Sequence, residues 1–169
     1  MSRANLSGTV RKAWVAVVFC LAVAGCANPK LLQREPADTA FWSGRLALQV
    51  EDTSSQSFSA GFELKGSARR GELALFTPLG GTLAVLSWQP GGAQMVADGK
   101  TRSFESIDAL VQQATGSVIP VAALFDWLGG TDTQVPGWRA DLSRLKDGRV
   151  QAHRSAPLPA ADLRVVIEP

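Results

Sequence analysis

Alternating apolar and polar residues dominate the chain from residue 44 onward. One apolar set is spaced two residues apart at Leu46, Leu48 and Val50. A second set follows the polar break at residues 51–57 and consists of Phe58, Ala60, Phe62 and Leu64. Spacing by two residues is typical of β-strands with one apolar and one polar face. The two sets therefore predict an antiparallel hairpin.

The same pattern predicts further strands on both sides of a central region. Before that region, the predicted strands contain Leu73 and Leu75 and residues 82–88, 93–97 and 101–104, and the last of these is the return strand after a hairpin turn at Asp98-Gly99. After it, they lie in residues 138–145, 150–154 and 163–167. Glycine, proline and aspartate separate these sets, as is typical of the turns between antiparallel strands.

In the central region the spacing of apolar residues changes from two to three or four, which predicts two helices. The first lies between Ser106, its predicted N-cap, and Gly116, its predicted stop, and the second between Pro120 and Gly129-Gly130. Their apolar stripes consist of Ile107, Leu110, Val111 and Ala114, and of Val121, Leu124, Phe125 and Leu128. The predicted fold is mainly β, with helices covering one face of a strongly curved antiparallel sheet. Such a sheet can enclose an apolar cavity.

Residues 1–25 are predicted to be a cleaved signal peptide. A basic start with Arg3, Arg11 and Lys12 precedes an apolar run at 13–23, which is too short to span a bilayer. The sequence Val23-Ala24-Gly25-Cys26 resembles the lipobox of bacterial lipoproteins, which implies that Cys26 is acylated. The alternative is an ordinary signal peptide with a chance cysteine. In lipoproteins of this kind, an aspartate directly after the acylated cysteine is the usual signal for retention in the inner membrane. This position is alanine here, so the resemblance implies that the protein is anchored in the outer membrane, with the domain facing the periplasm.

The rest of the chain is predicted to be a tether at residues 26–37, which begins with the acylated cysteine, and one domain at residues 38–169. About 130 residues are enough for a single core. Without the three basic residues of the signal peptide, the chain has 14 basic and 15 acidic side chains and is close to neutral. This balance gives no indication of nucleic-acid binding, which calls for a clustered basic face.

Candidate catalytic groups are scarce. His153 is the single histidine of the chain, and no Gly-x-Ser-x-Gly motif accompanies it. Metal sites of the common kinds need several histidine or cysteine ligands. We therefore expect no enzyme activity, no metal and no cofactor.

The segment Thr77-Pro78-Leu79-Gly80-Gly81 leaves two interpretations open. Leu79 can fold back onto the core from a hairpin turn, which the pattern alone favours. It can also form an exposed apolar finger that dips into a bilayer or a partner's groove. Similarly, the two helices can be simple core elements or a movable lid.

The chain resembles the family of the outer-membrane lipoprotein receptor LolB. The matching segments are Gly44-Arg45-Leu46, Gly61-Phe62, Leu75 with Thr77-Pro78-Leu79-Gly80, and Ile119-Pro120 leading to Trp127-Leu128-Gly129. The resemblance implies a half-open antiparallel β-barrel around an apolar cavity, covered by two or three short helices. It also implies that Leu79, between Pro78 and Gly80, projects into solvent for membrane targeting.

The function implied by the resemblance is transfer of lipoproteins to the outer membrane without energy input. The partners would be the periplasmic carrier LolA, acylated lipoprotein cargo and outer-membrane phospholipid, and the receptor is expected to be a monomer. The predicted lining of the acyl-chain cavity comprises Leu46, Leu48, Phe58, Phe62, Leu73, Leu75, Leu83, Val85, Leu110, Leu124 and Phe125. The alternative function is a structural lipoprotein with a filled core that docks parts of an envelope assembly machine.

Overall fold

The computed structural model describes residues 40–51, 56–115 and 118–169. Within these residues, nine strands form one sheet in the order β6-β5-β4-β3-β2-β1-β9-β8-β7. The strands are β1 (Ala40–Glu51), β2 (Gln56–Gly66), β3 (Gly71–Phe76), β4 (Thr82–Gln89), β5 (Gly92–Ala97), β6 (Lys100–Phe104), β7 (Trp138–Asp141), β8 (Arg149–Arg154) and β9 (Ala160–Ile167). The described part of the sheet does not close into a barrel, because β6 and β7 form its two edges.

Every pair of neighbouring strands is antiparallel. Strands β1, β3, β5 and β8 therefore run in the same direction, and the connections that follow them lie at one end of the sheet. We call this end the loop end. It carries residues 77–81 after β3 and residues 155–159 after β8. Ala40, where β1 begins, lies at the opposite end.

Two α-helices lie between β6 and β7, as the sequence predicts. Helix α1 (Ile107–Thr115) is N-capped by Ser106, whose Oγ accepts a hydrogen bond of 3.1 Å from the backbone N–H of Ala109. Helix α2 (Val121–Leu128) begins after Pro120 and ends at Gly129, whose N–H donates to the carbonyl of Phe125. A short 3₁₀ helix, η1 (Leu145–Asp147), follows β7.

One face of the sheet, which we call the inner face, packs against the helices. It carries the buried side chains of Leu48, Phe62, Leu86, Val150 and Leu163. Helix α2 buries five of its eight residues, so most of its circumference is in contact with protein. The hydrophobic core therefore lies between the inner face and the two helices.

The mainly-β architecture, the β1–β2 hairpin and both helices are confirmed, and the largest differences from the predicted strand bounds are in β1 and β7. Strand β1 begins at Ala40 rather than near residue 44, since residues 40–43 pair with residues 63–66. Strand β7 ends at Asp141 rather than residue 145, because the Asp141 carboxylate accepts the N–H of Ser143 at 2.9 Å and turns the chain.

Several predictions concern segments outside the described residues. These are the signal peptide at 1–25, acylation of Cys26, the tether that follows it, part of the polar break after Glu51, and the role of Gly116 as a helix stop.

Gly44 is required by the pairing of β1 with β9. Its φ is +152°, and a Cβ atom there would collide with the carbonyl oxygen of Val166. We expect Gly44→Ala to lower the free energy of unfolding by about 2 kcal/mol or more, measured by urea denaturation. Gly61→Ala is the control, because its Cβ would meet Phe76 at an ordinary 3.5 Å. Equal losses for the two variants would contradict this account.

Candidate functional site

The connection between β3 and β4 presents a single leucine to solvent. Leu79 is 98% exposed. The loop beneath it is closed by three hydrogen bonds: Thr77 N–H to the Gly81 carbonyl (2.7 Å), Gly80 N–H to the Thr77 carbonyl (2.9 Å), and Gly81 N–H to the Thr77 hydroxyl (3.0 Å). Gly80 adopts a φ of +83°, which favours glycine. The leucine therefore does not fold back onto the core, and the interpretation that pattern alone favoured is wrong.

The inner face becomes more accessible toward the loop end on the β3–β5 side. Near the opposite end, Trp88 and Ala93 are buried against the helices. Near the loop end, Leu75, Ala84 and Ala97 form one cross-strand row and are only half-buried. These apolar side chains face the inside of the molecule, and yet water reaches part of them. The inner face thus opens at the end of the sheet that carries Leu79.

The other half of the inner face is tightly packed. On β8 and β9 every inner-face side chain up to Val165 is buried: Val150, Ala152, Arg154, Ala161, Leu163 and Val165. Accessible apolar surface therefore lies under β1 to β5, where Leu46 and Leu75 are half-buried and Phe58 is exposed, and β8 and β9 provide a packed support.

Nine of the eleven predicted lining residues belong to the inner face or the helices that cover it. Leu46, Leu48, Phe58, Phe62, Leu73 and Leu75 lie on the inner face, and Leu110, Leu124 and Phe125 lie on the helices. Phe58 is at the loop end and is exposed. The core contacts of Leu110 and Phe125 show that parts of the helices pack directly on the sheet.

Leu83 and Val85 were predicted to line the cavity, but neither lies among the inward-facing residues of β4. Val85 pairs with Ala74 and Val96 on the outer face, and Leu83 lies in a β-bulge where the register between β3 and β4 shifts. Because residues 82–88 are apolar on both faces, alternation could not decide which side chains point inward. The inward-facing residues of β4 are Ala84, Leu86 and Trp88.

A cleft of about 360 Å³ opens on the outer face beside the β3–β4 loop. Its walls include Arg45, Gly61, Phe76 and Pro78. This cleft differs from the predicted acyl-chain cavity, with which it shares one lining residue, Phe62.

Three aromatic side chains join helix α2 to the inner face. The Phe125 ring packs against the rings of Trp42 and Trp88, with centroid distances of 5.6 Å and 6.1 Å. In both pairs the two ring planes are nearly perpendicular. The Trp88 indole N–H donates to the Ser67 carbonyl at 3.1 Å. Perpendicular ring packing adds to the stabilisation from buried area. This contact holds α2 over the strands near the end opposite Leu79.

Arg154 is a buried cation that sequence reasoning missed. Its side chain is 2% exposed, and its guanidinium lies 5.8 Å from the centre of the Trp138 ring. It donates to the carbonyls of Pro159 (2.7 Å) and Val118 (3.4 Å), and burial lowers its pKa. Arginine stays charged at neutral pH, so this charge is compensated by carbonyl dipoles and the indole ring. Arg154 thereby links β8 to the β8–β9 connection and to the segment before α2.

The remaining candidate groups are ordinary surface residues. His153 is exposed and its Nδ1 lies 3.1 Å from Asp162 Oδ1. No three histidine, cysteine or acidic side chains in the described segments are grouped to hold a metal ion. Among the helices of residues 40–51, 56–115 and 118–169, none is long and apolar enough to cross a bilayer.

Comparison with known proteins identifies the family. The family model described as "Outer membrane lipoprotein LolB" matches residues 41–159. The chain belongs to the LolB family. The outer-membrane lipoprotein LolB of Bordetella petrii is 35% identical over 159 residues, covering 80% of both chains. That of Chromobacterium violaceum is 34% identical over 118 residues, covering 66% of this chain and 64% of the relative. These names agree with the predicted lipid-anchored location at the outer membrane.

The family match also places the loop and the helices in context. It spans the strands β1 to β8, the β3–β4 loop with Leu79 and both helices. The match covers the residues from which the resemblance to LolB was inferred. It ends at Pro159, whose carbonyl accepts a hydrogen bond from Arg154.

Arg154→Ala should destabilise the fold by about 2 kcal/mol, because it removes two hydrogen bonds and the contact with Trp138. Urea denaturation measures the loss, and limited proteolysis should show faster cleavage around residues 155–159. Arg149→Ala is a matched control on the same strand, since Arg149 is exposed, and its effect should stay within about 0.5 kcal/mol. A wild-type denaturation curve for Arg154→Ala would contradict the structural role of this arginine.

Proposed function

We propose that this protein accepts lipoproteins from the periplasmic carrier LolA and inserts them into the outer membrane without energy input. In this proposal, the acyl chains of the cargo bind the inner face of the sheet under the helices, and Leu79 contacts the bilayer. The observation that carries the proposal is that the accessible, apolar part of the inner face opens at the end where Leu79 projects.

The apolar inner face suits acyl chains physically. Each methylene group transferred from water to an apolar site gains about 0.8 kcal/mol, so a lipoprotein in the periplasm needs a covering surface. Leu46, Leu73 and Leu75 offer flexible aliphatic contacts that impose no single pose. Such a site can hold chains of different cargo proteins, and the bilayer can then withdraw them because it offers more apolar contact.

Helices α1 and α2 would act as the cover of this site. Helix α1 packs against β5 and β6, next to the accessible part of the inner face. Leu124 on α2 is half-buried, in contrast to its neighbour Phe125. Acyl chains entering from the loop end would displace water from Leu75, Ala84 and the exposed side of Leu124.

The tether would allow the loop end to face the membrane. In the proposal, acylated Cys26 anchors the protein, and 13 residues separate it from Ala40 at the opposite end of the sheet. An extended chain of that length reaches about 45 Å. The 12-residue strand β1 spans about 40 Å, so the tether is long enough to run the length of the sheet.

Leu73→Glu tests whether the inner face binds the cargo. A carboxylate there should abolish acceptance of a radiolabelled lipoprotein from LolA, because acyl chains would have to bury its charge. Copurification with a tagged, Cys26→Ala form of the mature chain measures acceptance, and circular dichroism verifies folding. Val85→Glu is the control, since Val85 is half-buried like Leu73 but lies on the outer face.

If both folded variants accept cargo equally, the inner face is not the binding site. If the unsubstituted chain itself never accepts cargo, the receptor function fails, and a structural docking lipoprotein becomes the better explanation.

Leu79→Glu separates delivery from acceptance. We expect the variant to take cargo from LolA normally but to deliver it to liposomes at least about tenfold more slowly, because a charged tip cannot enter the bilayer. Phe41→Glu is the control, because Phe41 is 59% exposed and lies at the opposite end of the sheet. Equal delivery by both variants would exclude the membrane role of Leu79.

A further inference from the structure

The connection between β8 and β9 presents a second isolated leucine. Leu158 is 81% exposed and lies between Pro157 and Pro159, in the segment Ser155–Pro159. It resembles the β3–β4 loop, where an exposed leucine follows a proline. Because its side chain is mostly in water, Leu158 contributes little apolar burial to the stability of the fold.

Leu158 projects from the same end of the sheet as Leu79. Strands β3 and β8 run in the same direction, so the connections that follow them both lie at the loop end. The order β3-β2-β1-β9 places three strand spacings between the two loops. These spacings amount to about 14 Å across the strands. The pairing adds an offset of about 20 Å along the strands, because Phe76 at the end of β3 is level with Val166, six residues from Ala160 at the start of β9. The two leucines are therefore separate points on one rim.

The loop of Leu158 is held in place from below. Arg154 donates 2.7 Å and 3.4 Å hydrogen bonds to the carbonyls of Pro159 and Val118. Val118, in the segment before α2, is itself 43% exposed. One buried side chain thus joins the backbones that carry two exposed apolar residues. The prolines on both sides of Leu158 further limit the backbone freedom that binding would remove.

We propose that Leu158, together with Val118, forms a second contact with the bilayer, which acts with Leu79 to orient the opening of the inner face toward the membrane. This inference rests on the proposed function, in which Leu79 contacts the bilayer. A single contact would leave the domain free to tilt about it. Two contacts on one rim restrict that tilt and keep the exposed Phe58 and the half-buried Leu75 close to the lipid.

A fluid bilayer fits these side chains better than a folded partner does. Leu79 and Leu158 are single projecting side chains on separate loops, whereas protein interfaces bury their anchors in one continuous, complementary patch. A bilayer needs no matching pocket to receive an isolated apolar side chain at its headgroup boundary. A protein partner would have to provide two pockets at the correct spacing.

Depth-dependent fluorescence quenching tests the second contact on the mature, acylated protein in vesicles of phosphatidylethanolamine and phosphatidylglycerol. A nitrobenzoxadiazole probe is attached to Leu79→Cys, Leu158→Cys or Phe41→Cys in separate preparations. Cys20 and Cys26 are the cysteines of the chain. The first would leave with the signal peptide and the second would be acylated, so the probe should label the new cysteine alone. Labelling of the unsubstituted protein measures any background.

We expect lipid that carries a nitroxide on its acyl chain to lower probe emission about twofold at positions 79 and 158, because apolar contacts of this kind reach about 5–10 Å into the interface. Emission at position 41 should not change. If position 158 behaves like position 41, the second contact does not exist, whatever position 79 shows. If position 158 is quenched and position 79 is not, the second contact is supported, and the role proposed for Leu79 fails.

Discussion

The need to cover one apolar face of an open sheet determines much of this structure. A sheet that does not close on itself leaves its inner face to water unless another element covers it. Helix α2 provides that cover, with Phe125 packed against Trp42 and Trp88. Because this aromatic contact lies toward one end of the sheet, it fixes the helix there and leaves the other end less tightly covered.

The resulting asymmetry links packing to function. The inner-face side chains of β8, and those of β9 up to Val165, are buried, whereas Leu73 and Leu75 on β3 remain half-buried. A fully packed inner face would be more stable, since each buried leucine contributes roughly 1.5–3 kcal/mol. Accessible leucines facing the helices are understandable if an acyl chain is to take the place of missing side chains. The packed half then supplies the stability that the accessible half lacks.

Local patterns predicted most of the fold, but they did not predict for every residue on which face of the sheet its side chain lies. Period-two alternation located β1 and β2, and Ser106 and Pro120 marked the helix starts, because these signals depend on nearby residues only. Strand β4 is apolar on both faces, and its facing depends on the β-bulge opposite Leu75, which no local pattern reveals. Likewise, the burial of Arg154 depends on residues up to 36 positions away, with Val118 among its partners. The one available hint for Leu158 was its position between two prolines.

In the proposed function, the exposed leucines at the loop end would have to bind the membrane weakly enough to permit turnover. Full burial of one leucine contributes roughly 1.5–3 kcal/mol, which is far less than the acyl anchor proposed for Cys26. The anchor would thus keep the protein on the membrane, while the leucines only bias its orientation. Orientation by weak contacts is reversible, so in this proposal the opening would turn from the bilayer toward an incoming carrier and back. A stronger apolar patch at this end would hold the opening against the lipid and block the next cargo.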